Sequence, residues 1–264
     1  MAIAAHPDDI ELMMAGTLIL LGEAGYSLHM MNVANGCCGT ATESPETIVA
    51  RREEEARDSA RLLGAHFHEP IASDAEIFYE PAALRKMAAI VREVNPAVLL
   101  LQSPQDYMED HMNSQRLAVT AAFCRGMRNF ATDPPRPPVE GETVLYHALP
   151  WGLRDPLRRR VWAGQYVDIG SVMAKKRAAL ACHRSQKEWL DRSQGLDSYL
   201  TTMEAMDAEV GAMSGRYAHA EGWRRRLHLG YSAEDADPLT AALGPKRAHV
   251  CPRYEAALEA TGEA

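Results

Sequence analysis

No stretch of this 264-residue chain is apolar for long enough to span a bilayer; none approaches the roughly 20 residues that a spanning helix needs. A basic segment followed by an apolar one, the mark of a secretory leader, is also missing from the start. Internal repeats and low-complexity tracts are absent, which sets aside repeat architectures and biased linkers. Positive charge is in short supply: 28 Lys and Arg face 36 Asp and Glu, for a net charge of −8. That balance argues against nucleic acid or an anionic membrane as a partner. Cysteine is scarce and odd in number, at five. Without a leader, an odd count suggests reduced thiols rather than a disulfide framework. Cys37 and Cys38 are adjacent, which does not suit a shared metal in the C-x-x-C manner, and they read as structural or incidental. The cytoplasm is the expected location.

What is present is ordinary for a globular protein: 47% hydrophobic and 24% charged residues. The length suits one sizeable domain with an elaborated C-terminal part. We expect a single domain over 1–264, with a core over 1–150 and an extension over 151–264.

The first half alternates two periodicities. Met1–Ala5 reads as a buried strand and Leu12–Gly25 as a helix closed by glycine. Ser27–Ala34 reads as the second strand. Ser44 and Pro45 form an N-cap and first-turn pair for a helix that runs to Gly64. HFHEPI follows as a third strand, then the helix PAALRKMAAIVREVN, the fourth strand AVLLLQ, and a helix over Asn113–Phe130. TDPPRPP breaks the pattern before a fifth strand, ETVLYHAL. Strands alternating with helices predict an α/β fold, Rossmann-like, with a doubly wound and mostly parallel sheet carrying helices on both faces. Beyond it, Ser171–Cys182 and Leu196–Met213 look helical. AEGWRRRLHLGY and the last 30 residues show no clear period, so the C-terminal extension reads as irregular. The tail from Ala233 reads as either an interface arm or a partly disordered segment.

Chemistry concentrates in AHPDDIE, residues Ala5 to Glu11, at the end of the first strand. Imidazole and carboxylate both suit zinc, and a catalytic zinc usually takes three protein ligands plus water. His6 and Asp9, set across a Pro-containing turn, could converge on one ion. Asp8 would then be free to take a proton from water. The alternative is a capped helix start whose acids serve the helix dipole. A third ligand should come from another strand end. SPQDYMEDHMNSQ, on the loop after the fourth strand, offers Asp106, Glu109, Asp110 and His111, of which His111 is the natural choice unless it is a surface residue.

AHPDDIE, the segment ARREEEARDSARLLGA and the acid-rich stretch ending in DH together resemble the PIG-L/LmbE family of zinc-dependent N-deacetylases. That family opens with a strand ending AHPDDxE, carries an R-x-x-E helix ending in LG, and has H-x-D-H after its fourth strand. The resemblance covers about residues 1–130, then fades, although KKRAALACHRSQ resembles a further family segment. It implies that His6, Asp9 and His111 hold Zn2+ or another divalent ion, that Asp8 is the general base, and that Arg52 binds substrate. On its residue type alone, Arg52 could equally belong to a solvated helix face.

Met108 stands where the family commonly has the first histidine of H-x-D-H, a residue that polarises the carbonyl or protonates the leaving group. A methionine does neither. Candidate replacements are His147 in YHALP, which we favour, then His183 in ACHRSQ, and Tyr107; each histidine has a structural alternative. His66 and His68 read as packing or rim residues, and the pairs Met13–Met14 and Met30–Met31 as core. Trp223 could stack on a sugar or make a subunit contact. The implied activity is removal of an acyl group, acetyl in the first instance, from an N-acetylated amino sugar or related glycoside. The alternatives are a metal-dependent hydratase, another amidohydrolase, or a non-catalytic sugar-binding module, though a pure binder would not require Asp8. The expected partners are a small-molecule substrate and further copies of the chain.

Overall fold

The run AIA after Met1 is short, apolar and buried on both sides, as a central parallel strand should be. In the computed structural model, which describes residues 1–188 and 198–260, it forms β1 (Ala2–Ala4). Strand β2 (Leu28–Asn32) pairs with it on one side and β4 (Val98–Leu101) on the other, both parallel. Parallel strands β3 (Ala65–His68) and β5 (Val144–Ala148) extend the sheet outward from β2 and β4. Side chains alternate across it, as the pleat requires. Ala2, Ala4, Met30 and Leu100 enter one apolar cluster, while Ile3, Met31, Leu99 and Leu101 enter the other. Helices cover both faces. Chain order reverses at β1, because β2 and β4 lie on its opposite sides; in open α/β sheets, ligands bind at this switch point, beyond the C-terminal strand ends.

The helices follow their local signals with two informative exceptions. The helix α3 (Pro45–Leu63) starts as expected: Ser44 Oγ accepts the Thr47 N–H and Gly64 closes the end at φ 75°. The first helix begins earlier than Leu12 and is broken, giving α1 (Asp9–Met13) and α2 (Ala15–Glu23). After α4 (Pro81–Val94), α5 (Glu109–Cys124) starts four residues before the expected Asn113. His111 therefore sits in a helical first turn, not on a loop.

The C-terminal part is not irregular throughout. It adds β6 (Gln165–Asp168), α6 (Met173–Leu180), α7 (Ser198–Ser214), β7 (Ala220–Arg225), α8 (Pro238–Leu243), β8 (Ala248–Val250) and α9 (Pro252–Glu259). The sheet has eight strands in the order β3-β2-β1-β4-β5-β7-β6-β8. β7 is antiparallel to both β5 and β6, and β8 is antiparallel to β6. The stretch read as aperiodic, AEGWRR, is thus an internal strand, and the tail as far as residue 260 is built into the fold. Trp223 is fully buried there, with its indole N–H donating to Thr17 Oγ1 at 2.9 Å, so it is not available to stack on a sugar. Leu196 falls outside the described residues.

One buried ionic cluster ties the two halves together. Lys176 Nζ lies 2.9 Å from Asp207 Oδ1 and 2.8 Å from Glu221 Oε1. The Glu221 carboxylate also accepts the backbone N–H groups of Gly16 (2.8 Å) and Thr17 (2.7 Å), at the start of α2. That helix has no side-chain cap of its own. A carboxylate from β7 supplies the cap instead, meeting the positive end of the helix. Among the described residues, no helix is long and apolar enough to cross a membrane.

Candidate metal-dependent active site

Between β1 and α1 the chain must turn sharply, and Asp8 takes the strain: its φ is 112°, a left-handed value costly for any residue but glycine. Two distant groups and one within the turn hold it in place. Asn32 on β2 donates to the His6 carbonyl at 2.8 Å, and Arg52 Nη2 on α3 donates to the Pro7 carbonyl at 2.6 Å. Asp9 Oδ2 accepts the His6 N–H at 2.7 Å. The result is a cluster on the floor of a cleft of about 620 Å³, a volume in the ordinary range for small-molecule sites.

Donor atoms of His6, Asp9 and His111 all lie within 4.8 Å of one another. His6 Nδ1 and His111 Nε2 each stand 3.4 Å from the same Asp9 oxygen, Oδ2. The far nitrogen of each ring is engaged: His6 Nε2 with Asp110 Oδ2 and His111 Nδ1 with Asp106 Oδ1, both at 3.0 Å. Carboxylates behind both rings are the usual arrangement for metal-ligating histidines, because they fix the ring and its tautomer. For bonds of about 2.0–2.1 Å, a tetrahedral ion has ligand–ligand edges of about 3.3–3.4 Å. The two nitrogen–oxygen spacings match that edge, so the three residues fit a divalent ion that takes tetrahedral ligands.

The electrostatics point the same way. Burial alone would lower the His6 pKa, but the hydrogen bonds with Asp110 and Asp9 overcome it and raise it to about 10. At His111, burial is likewise overcome, by Asp9 and Asp106. Burial opposes ionisation of Asp9, yet His111 and His6 hold its carboxyl below the usual range. The negative field that raises both imidazole pKa values also attracts a dication, which competes with protons for the rings.

Asp8 stands beside this cluster. Burial pushes its pKa up, against the pull of the Arg52 guanidinium 3.7 Å from Oδ2. Tyr199 on α7 donates its hydroxyl to Asp8 Oδ2 at 2.7 Å. Burial and Asp8 itself keep that phenol well above its usual pKa, so it remains a donor. Arg52 lines the cleft but is buried, spending Nη2 on Pro7 and Nη1 on the Gly36 carbonyl at 3.4 Å. Gly39 has to be small: a Cβ there would meet Arg52 Nη1 at 2.2 Å. Gly36 abuts the same guanidinium, and of Asn35, Gly36, Gly39 and Thr40 only Gly39 lines the cleft.

The cleft thus gathers His6, Asp8, Asp9, Arg52 and His111. His147 is not among its lining residues. It is buried on β5, with Nδ1 against the Gln102 carbonyl at 2.9 Å and Nε2 unpaired, and burial lowers its pKa to about 4. His183 is also buried, with Nε2 3.2 Å from Glu11 Oε1. Met108 and Tyr107 line the mouth, Tyr107 edge-on to the His111 ring. His66 and His68 lie on the edge strand β3, stacked with His29. Sequence reasoning missed Tyr199, the carboxylates of Asp106 and Asp110 as partners of the two histidines, and Asp74, another residue of the cleft wall.

A switch-point cleft with two carboxylate-backed imidazoles defines a Rossmann-like protein with a candidate metal centre. Residues 1–122 match the family model of the GlcNAc-PI de-N-acetylases, PIG-L, and the resemblance carried by AHPDDIE is thereby shown. A diacetylchitobiose deacetylase of Thermococcus kodakarensis is 27% identical over 237 residues, covering 85% of this chain and 81% of the relative. A 4-oxalmesaconate hydratase of Pseudomonas putida is 25% identical, covering 71% and 73%. Among solved structures, the N,N'-diacetylchitobiose deacetylase of Pyrococcus horikoshii superposes with a TM-score of 0.71 at 24% identity, covering 90% of this chain and 87% of the other. A 4-carboxy-2-hydroxymuconate hydratase of Pseudomonas putida also gives 0.71, at 22% identity with coverage of 85% and 94%. At these identities the two structures speak for the fold alone. Deacetylases and hydratases both occur among the relatives.

Proposed function

We propose that the protein is a divalent-metal-dependent hydrolase that removes an acetyl group from an N-acetylated amino sugar or related glycoside. The observation that carries this reading is the convergence of His6, Asp9 and His111 on one point, with Asp8 beside it and not spent as a ligand. His6, Asp9 and His111 would hold the ion, with Zn2+ suited to this donor set. When bound, such an ion lowers the pKa of water and polarises a carbonyl.

The chain's own residues supply the rest. Tyr199 donates to Asp8 Oδ2 and leaves the carboxylate free to accept a further proton. Asp8 takes that proton as water adds to the amide carbonyl, then returns it to the departing amine. Its strained backbone and its contacts with Arg52 and Tyr199 fix the carboxylate before substrate arrives. Arg52, buried at the cleft wall 3.7 Å from Asp8 Oδ2, is the side chain we assign to substrate binding. His147 is the remaining candidate for the role lost at Met108; with its Nδ1–H given to the Gln102 carbonyl, its unpaired Nε2 is an acceptor, so it would act by orienting water and not by donating to the oxyanion. His147→Ala should lower kcat while bound metal stays at the wild-type level; unchanged kcat in that variant would remove His147 from the reaction.

Metal analysis followed by acetate release over a panel of N-acetylglucosaminides tests the whole reading. One divalent ion at the His6–Asp9–His111 cluster is expected, lost in His111→Ala, together with acetate formation on at least one substrate. A metal-loaded protein that hydrates an unsaturated acid and releases no acetate would favour the hydratase reading, which the hydratase relative and Met108 support. Ligand binding without turnover would leave the sugar-binding module. We also infer a cytoplasmic location and a homo-oligomer, consistent with the composition.

A further inference from the structure

One wall of the cleft carries chemistry that the proposed reaction does not use. After β2 the chain runs Asn35-Gly36-Cys37-Cys38-Gly39, and the Asp74 carboxylate folds this segment into a tight loop. Its Oδ1 accepts the Gly36 N–H at 2.7 Å and its Oδ2 the Cys38 N–H at 2.9 Å, while Asn35 Oδ1 accepts the Cys37 N–H at 3.1 Å. The loop leaves the two thiols side by side, with Sγ atoms 3.8 Å apart. Both sulfurs and an Asp74 carboxylate oxygen fall within 4.8 Å of one another. Cys37 is half-buried and Cys38 exposed, so an ion can reach them from solvent.

A disulfide is the obvious alternative use of neighbouring thiols, and the geometry is against it. Adjacent residues across a trans peptide have Cα atoms about 3.8 Å apart. Ordinary disulfides need about 4.4–6.8 Å. Drawing the sulfurs in to about 2.05 Å would distort the peptide that Asp74 holds from both sides. A soft metal needs no such movement. With metal–sulfur bonds of about 2.3 Å, two sulfurs of a tetrahedral site lie about 3.8 Å apart, which is the spacing already present.

We propose that Cys37, Cys38 and Asp74 form a second metal site, selective for a thiophilic divalent cation of the Zn2+ or Cd2+ class and separate from the His6–Asp9–His111 cluster. On ligation each thiol releases its proton to solvent, leaving two thiolates and a carboxylate around the ion. The Arg52 guanidinium lies directly beneath the loop, against Gly36 and Gly39, where it offsets the excess negative charge. Cys38 and Asp74 both line the cleft, so the occupied site stands on its wall and narrows the entrance. The inference does not depend on which reaction the cleft performs.

Cd2+ titration of the full chain, kept reduced with a phosphine, tests it through the ultraviolet thiolate-to-metal charge-transfer absorption. A set of two imidazoles and one carboxylate cannot produce that absorption. The expected result is a band that saturates, disappears in Cys37→Ser and in Cys38→Ser, and persists in His6→Ala and His111→Ala. Asp74→Asn should shift the titration to higher Cd2+. Absence of the band at saturating Cd2+ would overturn the proposal, as would a band unchanged in both serine variants, which would assign it to Cys124, Cys182 or Cys251. An unchanged isotherm in Asp74→Asn would remove the carboxylate from the ligand set.

Discussion

Replacing Asp8 with asparagine should lower kcat by about 10²–10⁴-fold, the usual effect of losing one general base, while leaving bound metal at the wild-type level. The substitution keeps size and the Tyr199 contact at Oδ2, and it touches none of the three residues proposed as ligands. What it removes is the ability to accept a proton. A loss confined to kcat, with KM little changed, is the pattern of an interaction made only in the transition state. Steady-state kinetics on a metal-saturated variant, with metal counted in the same sample, check both halves. Near-normal turnover would reduce Asp8 to a residue that merely orients its neighbours.

A second large effect is expected far from the cleft, at Lys176. Its ammonium is fully buried between Asp207 and Glu221, 2.9 Å from both Asp207 carboxylate oxygens. Burial pushes the Asp207 carboxyl up to about 7; Lys176 opposes that shift and Glu221 adds to it. Lys176→Met fills the volume but strands two carboxylates in a dry interior. Breaking a buried pair from one side costs about 3–5 kcal/mol, which for a chain of this size corresponds to a fall in Tm on the order of 10 °C. Thermal or urea unfolding reads it directly. Adding Asp207→Asn and Glu221→Gln should recover part of the loss, because the stranded charges then disappear; a triple variant no more stable than Lys176→Met would show that packing, not charge, sets the penalty.

The parallel half of the sheet and its candidate metal cluster were legible because their signals are local. AHPDDIE places an imidazole and two carboxylates within one turn, and Ser44-Pro45 and Gly64 mark the two ends of α3. His111 was legible as a residue but not as a conformation. Asn113 is a good N-cap by type, whereas the helix starts after Met108, which offers no side-chain cap. Strands β6 to β8 were hidden for a different reason. AEGWRR mixes charges, a glycine and one tryptophan, and only its antiparallel neighbours make it a strand. Nor could local pattern reveal Tyr199 against Asp8 or Asp110 against His6, contacts that join residues 191 and 104 positions apart. Such partners are set by the tertiary arrangement.

The position of β7 has a consequence for how the molecule is made. Strand β5 is flanked by β4 on one side and β7 on the other, and β7 begins only at Ala220. A chain emerging from the ribosome can therefore complete the five parallel strands and still present an unpaired β5 edge, a template for pairing with a neighbouring nascent chain. The same late segments bring Tyr199 to Asp8 and Glu221 to the start of α2. Vectorial synthesis thus delivers the motif-bearing half first and withholds the phenol beside Asp8 until residue 199 and the edge protection until residue 220, so a stop before residue 199 yields a sticky intermediate that lacks both.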